Sequence, residues 1–225
     1  MSNRRFAALL LGLTLLVYAM IGVRVAYSGN TSDEGLLWNL VLAWIPYVLA
    51  VAVYRRFRRG SARAPLVVGG LLWLLFFPNA PYVITDLNYL RDLHGAPLWY
   101  ETLLTSTAAI AGLALGFASL YLMQLVVRRL AGAVNAWFFV VGVLALSSFG
   151  VYLGRFQRWN SWDVLVQPGA LLADLWRAAT DPSDHVRAAG LAVLFTAFLA
   201  ASYLVFYSFA RRRKEPAMKR MSRPG

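Results

Sequence analysis

The chain runs to 225 residues, of which 60% are hydrophobic and 14% charged, with a mean hydropathy of +0.57. Soluble domains carry about 25% charged residues, so this composition excludes an ordinary water-soluble globule and indicates a multi-pass membrane protein. The absence of cysteine excludes disulfides, thiolate catalysis and thiolate metal sites, and two histidines, His94 and His185, are too few for a histidine-rich centre; no metal and no cofactor is expected.

The net charge of +12 is not that of a nucleic-acid binder, because the basic residues form short clusters between apolar runs. That is the pattern of topology determinants, and no nucleic-acid partner is expected.

Six apolar segments are long enough to cross a hydrocarbon core of about 20 helical residues. They lie near 6–23, 36–54, 65–84, 102–127, 134–154 and 188–210. The first follows Arg4 and Arg5 and is too long for a signal-peptide core, with Arg24 where a small-residue cleavage site would fall; it is read as a retained span. With the N-terminus in the cytoplasm, 16 basic residues fall inside and 6 outside, the outer ones being Arg24, Arg91, Arg155, Arg158, Arg177 and Arg187. This asymmetry predicts six transmembrane helices in one domain over 1–210, with both termini cytoplasmic. Residues 211–225 form a basic tail, expected to be disordered. Between spans five and six, residues 168–179 have the spacing of a short interfacial helix, with Leu171, Leu172, Leu175 and Trp176 on one face. Asp181-Pro182-Ser183-Asp184 then reads as a helix start.

The third span is interrupted. Residues 77–86 read FPNAPYVITD, and Pro78 and Pro81 lack the amides that would bond the carbonyls of Leu74 and Phe77. A freed carbonyl inside a bilayer is costly unless protein or water satisfies it, so a broken, polar helix end marks a place to look for function. At 1.5 Å per residue, Pro78 lies about 20 Å from the inner face. Ser147 and Ser148 reach the same depth on the fifth span. Beyond them, residues 150–163 read GVYLGRFQRWNSWD, with two arginines among aromatic rings on the same side of the membrane.

Together these stretches predict an outer-leaflet polar pocket. Its candidate ligand-binding residues are Asn79, Tyr82, Thr85 and Asp86 from the broken helix, with Tyr152, Arg155, Arg158, Trp159, Asn160 and Asp163 from the end of span five. Guanidinium groups offer fork-like donors, which suit a phosphate or carboxylate. Simpler readings stand beside this one. The arginines would snorkel to the interface among belt aromatics, Asp86 would cap a short helix, and the prolines would only kink the span. On span four, Ala108, Gly112 and Gly116 form a small-residue ridge, read as helix packing, with a homo-oligomer through the Gly112/Gly116 face as the partner it offers.

FPNAPYVITDLNYL together with GVYLGRFQRWNSWD resembles the paired signatures, FPNAPYxxTDL and YLGRFxRWNSWD, of an uncharacterised family of bacterial multi-pass membrane proteins, a domain of unknown function. The likeness runs from span two to span six. It implies an all-α polytopic fold in the cytoplasmic membrane and no particular activity.

Three functions compete. A binding or transport protein would hold an anionic lipid headgroup, a lipid-linked phosphate or a small acid in the pocket. A membrane-embedded enzyme would use Asp86 or Asp163 as general base, with His94 as its partner and the arginines as anion stabilisers; no motif of a known reaction class is present. A scaffold protein would engage a partner through the ridge of span four. The first reading is favoured, because polar groups buried in a membrane are costly unless they serve a purpose.

Overall fold

The computed structural model describes residues 3–29, 34–91, 96–156, 159, 163–170, 173 and 182–212. Among these it contains helices and no strand. Helix α1 spans Asn3–Ser28, α2 Glu34–Arg58 and α3 Arg63–Phe76. A single turn, α4 (Asn79–Tyr82), leads into a 3₁₀ segment, Val83–Arg91. Helix α5 covers Leu98–Phe156, α6 is the short Asp163–Val166, and α7 is Pro182–Arg212. Of the interfacial helix expected over 168–179, residues 168–170 and 173 are described, as helical and exposed, while the leucines and tryptophan of its apolar face lie outside the described residues. Helix α7 starts on its proline, where a missing amide costs nothing.

Among the described residues, five helices are long and apolar enough to cross a membrane: Arg5–Ser28, Gly35–Arg58, Arg63–Asn88, Leu98–Arg155 and Ala189–Arg211. Apolar side chains such as Leu71, Phe138 and Leu194 point outward, more than 60% exposed. Helices that are apolar on their outer face as well as their inner one are what a lipid solvent demands.

The fourth of these helices has 58 residues, a length of about 87 Å if straight, close to three hydrocarbon thicknesses. It is not straight. Gly132 has φ 90° and ψ 174°, a conformation in which a Cβ would be strained. The arms on either side fold against each other. Phe117, Leu120 and Met123 of the first arm share a core with Val140, Val143 and Leu144 of the second. Trp73 and Phe77 of the third span join that core, as do Leu199 and Tyr203 of α7. Two buried hydrogen bonds hold it: Tyr203 Oη donates to Gln124 Oε1 at 2.7 Å, and Trp73 Nε1 to Ser119 Oγ at 3.2 Å. A second core joins Leu10, Val17 and Ile21 of α1 and Leu40 and Ala43 of α2 to Val83 and to Leu104, Ala108 and Leu115 of α5.

Arg24, counted from sequence among the outer-face cations, is instead 1% exposed. The helix runs on past it to Ser28, and its Nε donates to Glu101 Oε1 at 2.5 Å. Close by, Tyr100 Oη donates to the Met20 carbonyl at 2.8 Å, so two polar contacts tie α1 to the start of α5.

The broken third span is gripped from two sides. A Cβ on Gly112 would lie 2.6 Å from the Ala80 carbonyl oxygen and 2.9 Å from Val83 Cβ, and one on Gly116 would lie 3.1 Å from Ala80 Cβ. The other arm repeats the device. A Cβ on Gly150 would meet Pro78 at 3.0 Å, and one on Gly154 the Tyr82 ring at 3.2 Å. Two Gly-x-x-x-Gly ridges, one on each arm of α5, therefore admit the backbone of residues 78–83.

Backbone atoms cannot step aside as a flexible side chain can. Gly112→Ala is expected to destabilise the protein by about 1–3 kcal/mol, the range of core overpacking. Gly142, on the same helix, has open space around it, and Gly142→Ala should be neutral or slightly stabilising. Thermal unfolding of the two purified variants in mild detergent checks the contrast.

Candidate functional site

The site begins at the proline break. Phe77 N still bonds Trp73 O at 2.8 Å, so α3 is intact up to the first proline. Three carbonyls around the break find local donors. Asn79 Nδ2 donates to Phe76 O at 3.0 Å. The Phe77 carbonyl, expected to be freed by Pro81, accepts from Ala80 N at 3.1 Å, and the Pro78 carbonyl accepts from Tyr82 N at 3.0 Å. Asn79 thus serves the break itself.

From Val83 the chain continues as a nine-residue 3₁₀ helix. Such runs seldom exceed three or four residues, so this one depends on its surroundings. With three residues per turn, side chains eclipse in three rows. Val83 and Asp86 form the inner row and are 0% and 4% exposed. Ile84 and Leu87 form a second row, Thr85 and Asn88 a third, and all four line a cavity of about 410 Å³. The opposite wall is Ser148, Val151, Tyr152 and Arg155 from the second arm of α5, and Leu191 and Phe195 from α7 close the side. Among the described residues the lining is mostly apolar, with Arg155 as its one charged side chain.

Asp86 lies behind this wall. Asn39 of α2 donates from Nδ2 to Asp86 Oδ2 at 3.0 Å. Arg155 Nη1 is 3.8 Å from Asp86 Oδ1, an ion pair too long for a hydrogen bond. Asp86 Oδ1 is buried and accepts no hydrogen bond among the described residues. Both members of the pair are largely buried, with side chains 11% and 6% exposed for Arg155 and Asp86.

The structure brings Thr85, Tyr152 and Arg155 onto the cavity and Asp86 against Arg155. The Thr85 hydroxyl is turned back to the Tyr82 carbonyl at 2.7 Å. Tyr82 packs on Gly154, and the Trp159 carbonyl approaches the same glycine. Asp163 opens α6, half-buried, and its carbonyl accepts from Gln167 N. Asn79, Tyr82, Trp159 and Asp163 do not line the cavity. Arg158, Asn160 and His94 lie outside the described residues. Among the described residues, no three His, Asp or Glu side chains converge as metal ligands would.

Sequence reasoning missed Asn39, Leu191 and Phe195. A signal existed for Asn39, since it is an amide inside an apolar span, where polar groups are rare. Leu191 and Phe195 look like any other lipid-facing residues, and nothing in their local sequence marks them.

The break, the 3₁₀ rows and the arginine-bearing arm all fall within a match to one family model, described as Protein of unknown function (DUF1361), over residues 38–202. The chain belongs to this family. The match takes in every group named around the cavity, from Asn39 to Phe195. No match is found among the curated proteins or among the solved structures.

The Asn39–Asp86 contact is a hydrogen bond to a buried carboxylate, a type that contributes about 1.5–3 kcal/mol. Asn39→Leu should therefore lower the unfolding free energy by about that amount, whereas Trp38→Leu, at a neighbouring position 55% exposed, should leave it nearly unchanged. Urea unfolding in detergent, followed by tryptophan fluorescence with each variant's own baseline, tests this.

Proposed function

We propose that this protein binds, and through that binding transports, an anionic amphiphile in the cavity between the 3₁₀ segment, the second arm of α5 and α7. The observation that carries the reading is Arg155 in the wall of an otherwise mostly apolar cavity of about 410 Å³. An apolar lining with one placed cation suits an acid or phosphate joined to a hydrocarbon chain. A lipid headgroup, a lipid-linked phosphate and a small acid share the anionic end, and the chain-length dependence of binding separates them. The enzyme reading has less support, because Asp86 stands behind the wall, engaged by Asn39 and Arg155. The scaffold reading also has less, because the Gly112/Gly116 ridge already packs on Ala80, Pro81 and Val83. A homo-oligomer through that face would compete with this packing.

The same reading places the chain in the cytoplasmic membrane with six spans, α5 supplying two of them through the turn at Gly132, and with both termini inside. Two of the six cations counted as outer, Arg24 and Arg155, face buried carboxylates. Removing them from the count sharpens the charge asymmetry that sets orientation.

Two experiments test these statements. In native mass spectrometry, wild-type protein should retain phosphatidic acid over phosphatidylcholine of the same chains. Arg155→Gln should weaken that retention about tenfold or more, the scale of a lost charge-assisted hydrogen bond. Equal retention by the variant, or binding of methyl phosphate with the same affinity, would count against an amphiphile held by Arg155.

The cysteine-free chain gives a clean background for topology. Ala96→Cys should react with an impermeant maleimide in intact cells, whereas Ser61→Cys and Ala133→Cys should react only after the membrane is opened.

A further inference from the structure

The anion site has an unusual neighbour. Its arginine already faces a carboxylate, and that carboxylate is outside the cavity, buried, with one oxygen accepting no hydrogen bond among the described residues. The Arg155–Asp86 separation of 3.8 Å is an ion pair without the hydrogen bonds that would lock it. Asp86 Oδ2 is held from the other side by Asn39 on α2, which fixes the carboxylate in place whether or not the arginine stays with it.

We propose that Asp86 is the exchangeable counter-ion of Arg155, so that uptake of one anion into the cavity is coupled to uptake of one proton by Asp86. This rests on the anion-site reading above. Before binding, Arg155 is cationic and Asp86 is anionic. The incoming anion pairs with Arg155 in place of Asp86. A carboxylate buried in an apolar setting without its counter-charge is strongly disfavoured. Oδ1, the oxygen with no hydrogen bond, takes a proton from the aqueous buffer and forms a new O–H bond. One negative and one positive charge enter together, so the net charge of the buried cluster is the same before and after. Asn39 Nδ2 remains a suitable donor to Oδ2, because the unprotonated oxygen of a carboxylic acid still accepts.

Among the described residues, Arg155 is the charged group that reaches Asp86. The second arm of α5 brings Arg155 and Tyr152, and α4 brings Tyr82. The first arm carries Glu101, which is held by Arg24, and α2 contributes the uncharged Asn39. Glu101 is thus the other carboxylate whose titration must be separated from that of Asp86.

The test uses full-length protein in a neutral detergent and decanesulfonate as the probe. Its charge is fixed between pH 5 and 8, so its partition into micelles does not vary with pH. Binding is read from tryptophan fluorescence or calorimetry. Above the pH at which Asp86 ionises in the empty protein, the wild-type affinity should fall about tenfold per pH unit, as linkage to one proton requires. Asp86→Asn keeps an acceptor for Asn39 and removes the titration. It should bind as tightly as wild type at low pH and lose the pH dependence, whereas Glu101→Gln should keep it.

Calorimetry of the wild type in two buffers of different ionisation enthalpy should give close to one proton taken up per anion, and this holds as a readout even if a variant fails to fold. Binding that is independent of pH, a proton count near zero, or an Asp86→Asn variant with the wild-type slope overturns the coupling alone. No binding of decanesulfonate at any pH overturns the anion site and the coupling with it.

Discussion

Everything around the cavity depends on how closely α5 lets the broken third span approach. Two prolines remove backbone donors, and a helix broken inside an apolar bundle needs its carbonyls met without bulk water. The Ala80 carbonyl oxygen sits where a Cβ of Gly112 would be only 2.6 Å away. No side chain larger than hydrogen fits there. Gly116, Gly150 and Gly154 complete the clasp on the two arms, with Pro78, Ala80 and the Tyr82 ring seated on them. Because residues 78–83 are held from both sides, the 3₁₀ segment starts in a fixed rotational register. Its threefold rows then send Asp86 inward with Val83, and Thr85, Asn88, Ile84 and Leu87 toward the cavity.

Polar groups elsewhere in the apolar interior follow a consistent economy. Hydroxyls turn back onto their own helices: Thr14 to Leu10 O, Thr105 to Glu101 O, Ser148 to Leu144 O and Thr196 to Ala192 O, all between 2.6 and 2.9 Å. Such bonds satisfy the side chain locally and leave little for a ligand. Charges are paired across helices, as in Arg24–Glu101 and Arg155–Asp86. Against that background, Asp86 Oδ1 and Ser147 Oγ are buried without hydrogen bonds among the described residues. One touches the arginine of the cavity, and the other belongs to the residue just before the cavity-lining Ser148. Unsatisfied polar atoms in a low dielectric are costly, and they are not confined to the cavity, since Glu101 Oε2 beside Arg24 is another among the described residues.

The two carboxylates show what is and is not legible from the residues alone. Asp86 was recognisable because it follows a proline-broken helix in a polar stretch. Glu101 was not, because an acid at the start of an apolar span looks like a loop residue facing water. Arg24 is like it: charge near a span end looks exposed to water, and only the extension of α1 to Ser28 reveals that its side chain is buried against Glu101. The ridge at Gly112 and Gly116 was visible by its spacing, and the equivalent pair at Gly150 and Gly154 lay unnoticed inside a stretch conspicuous for its arginines and aromatics. What the first ridge packs against, Ala80 and Val83 of the same chain, was beyond its own spacing to reveal.

By itself the sequence determined the class of the molecule: apolar helices long enough to span a bilayer, a proline break in the third, and family membership across residues 38–202. These are properties of composition, length and local backbone chemistry, and they act residue by residue along the chain. The tertiary structure alone decided that Asn39 reaches Asp86 across 47 residues, that Arg155 faces the same carboxylate, and that Leu191 and Phe195 close the cavity. The reason is physical. Helices that are apolar on nearly every face carry little record of which face meets which neighbour, so rotation and partner choice are set by shape. Here that shape is two glycine ridges fitted to one broken span.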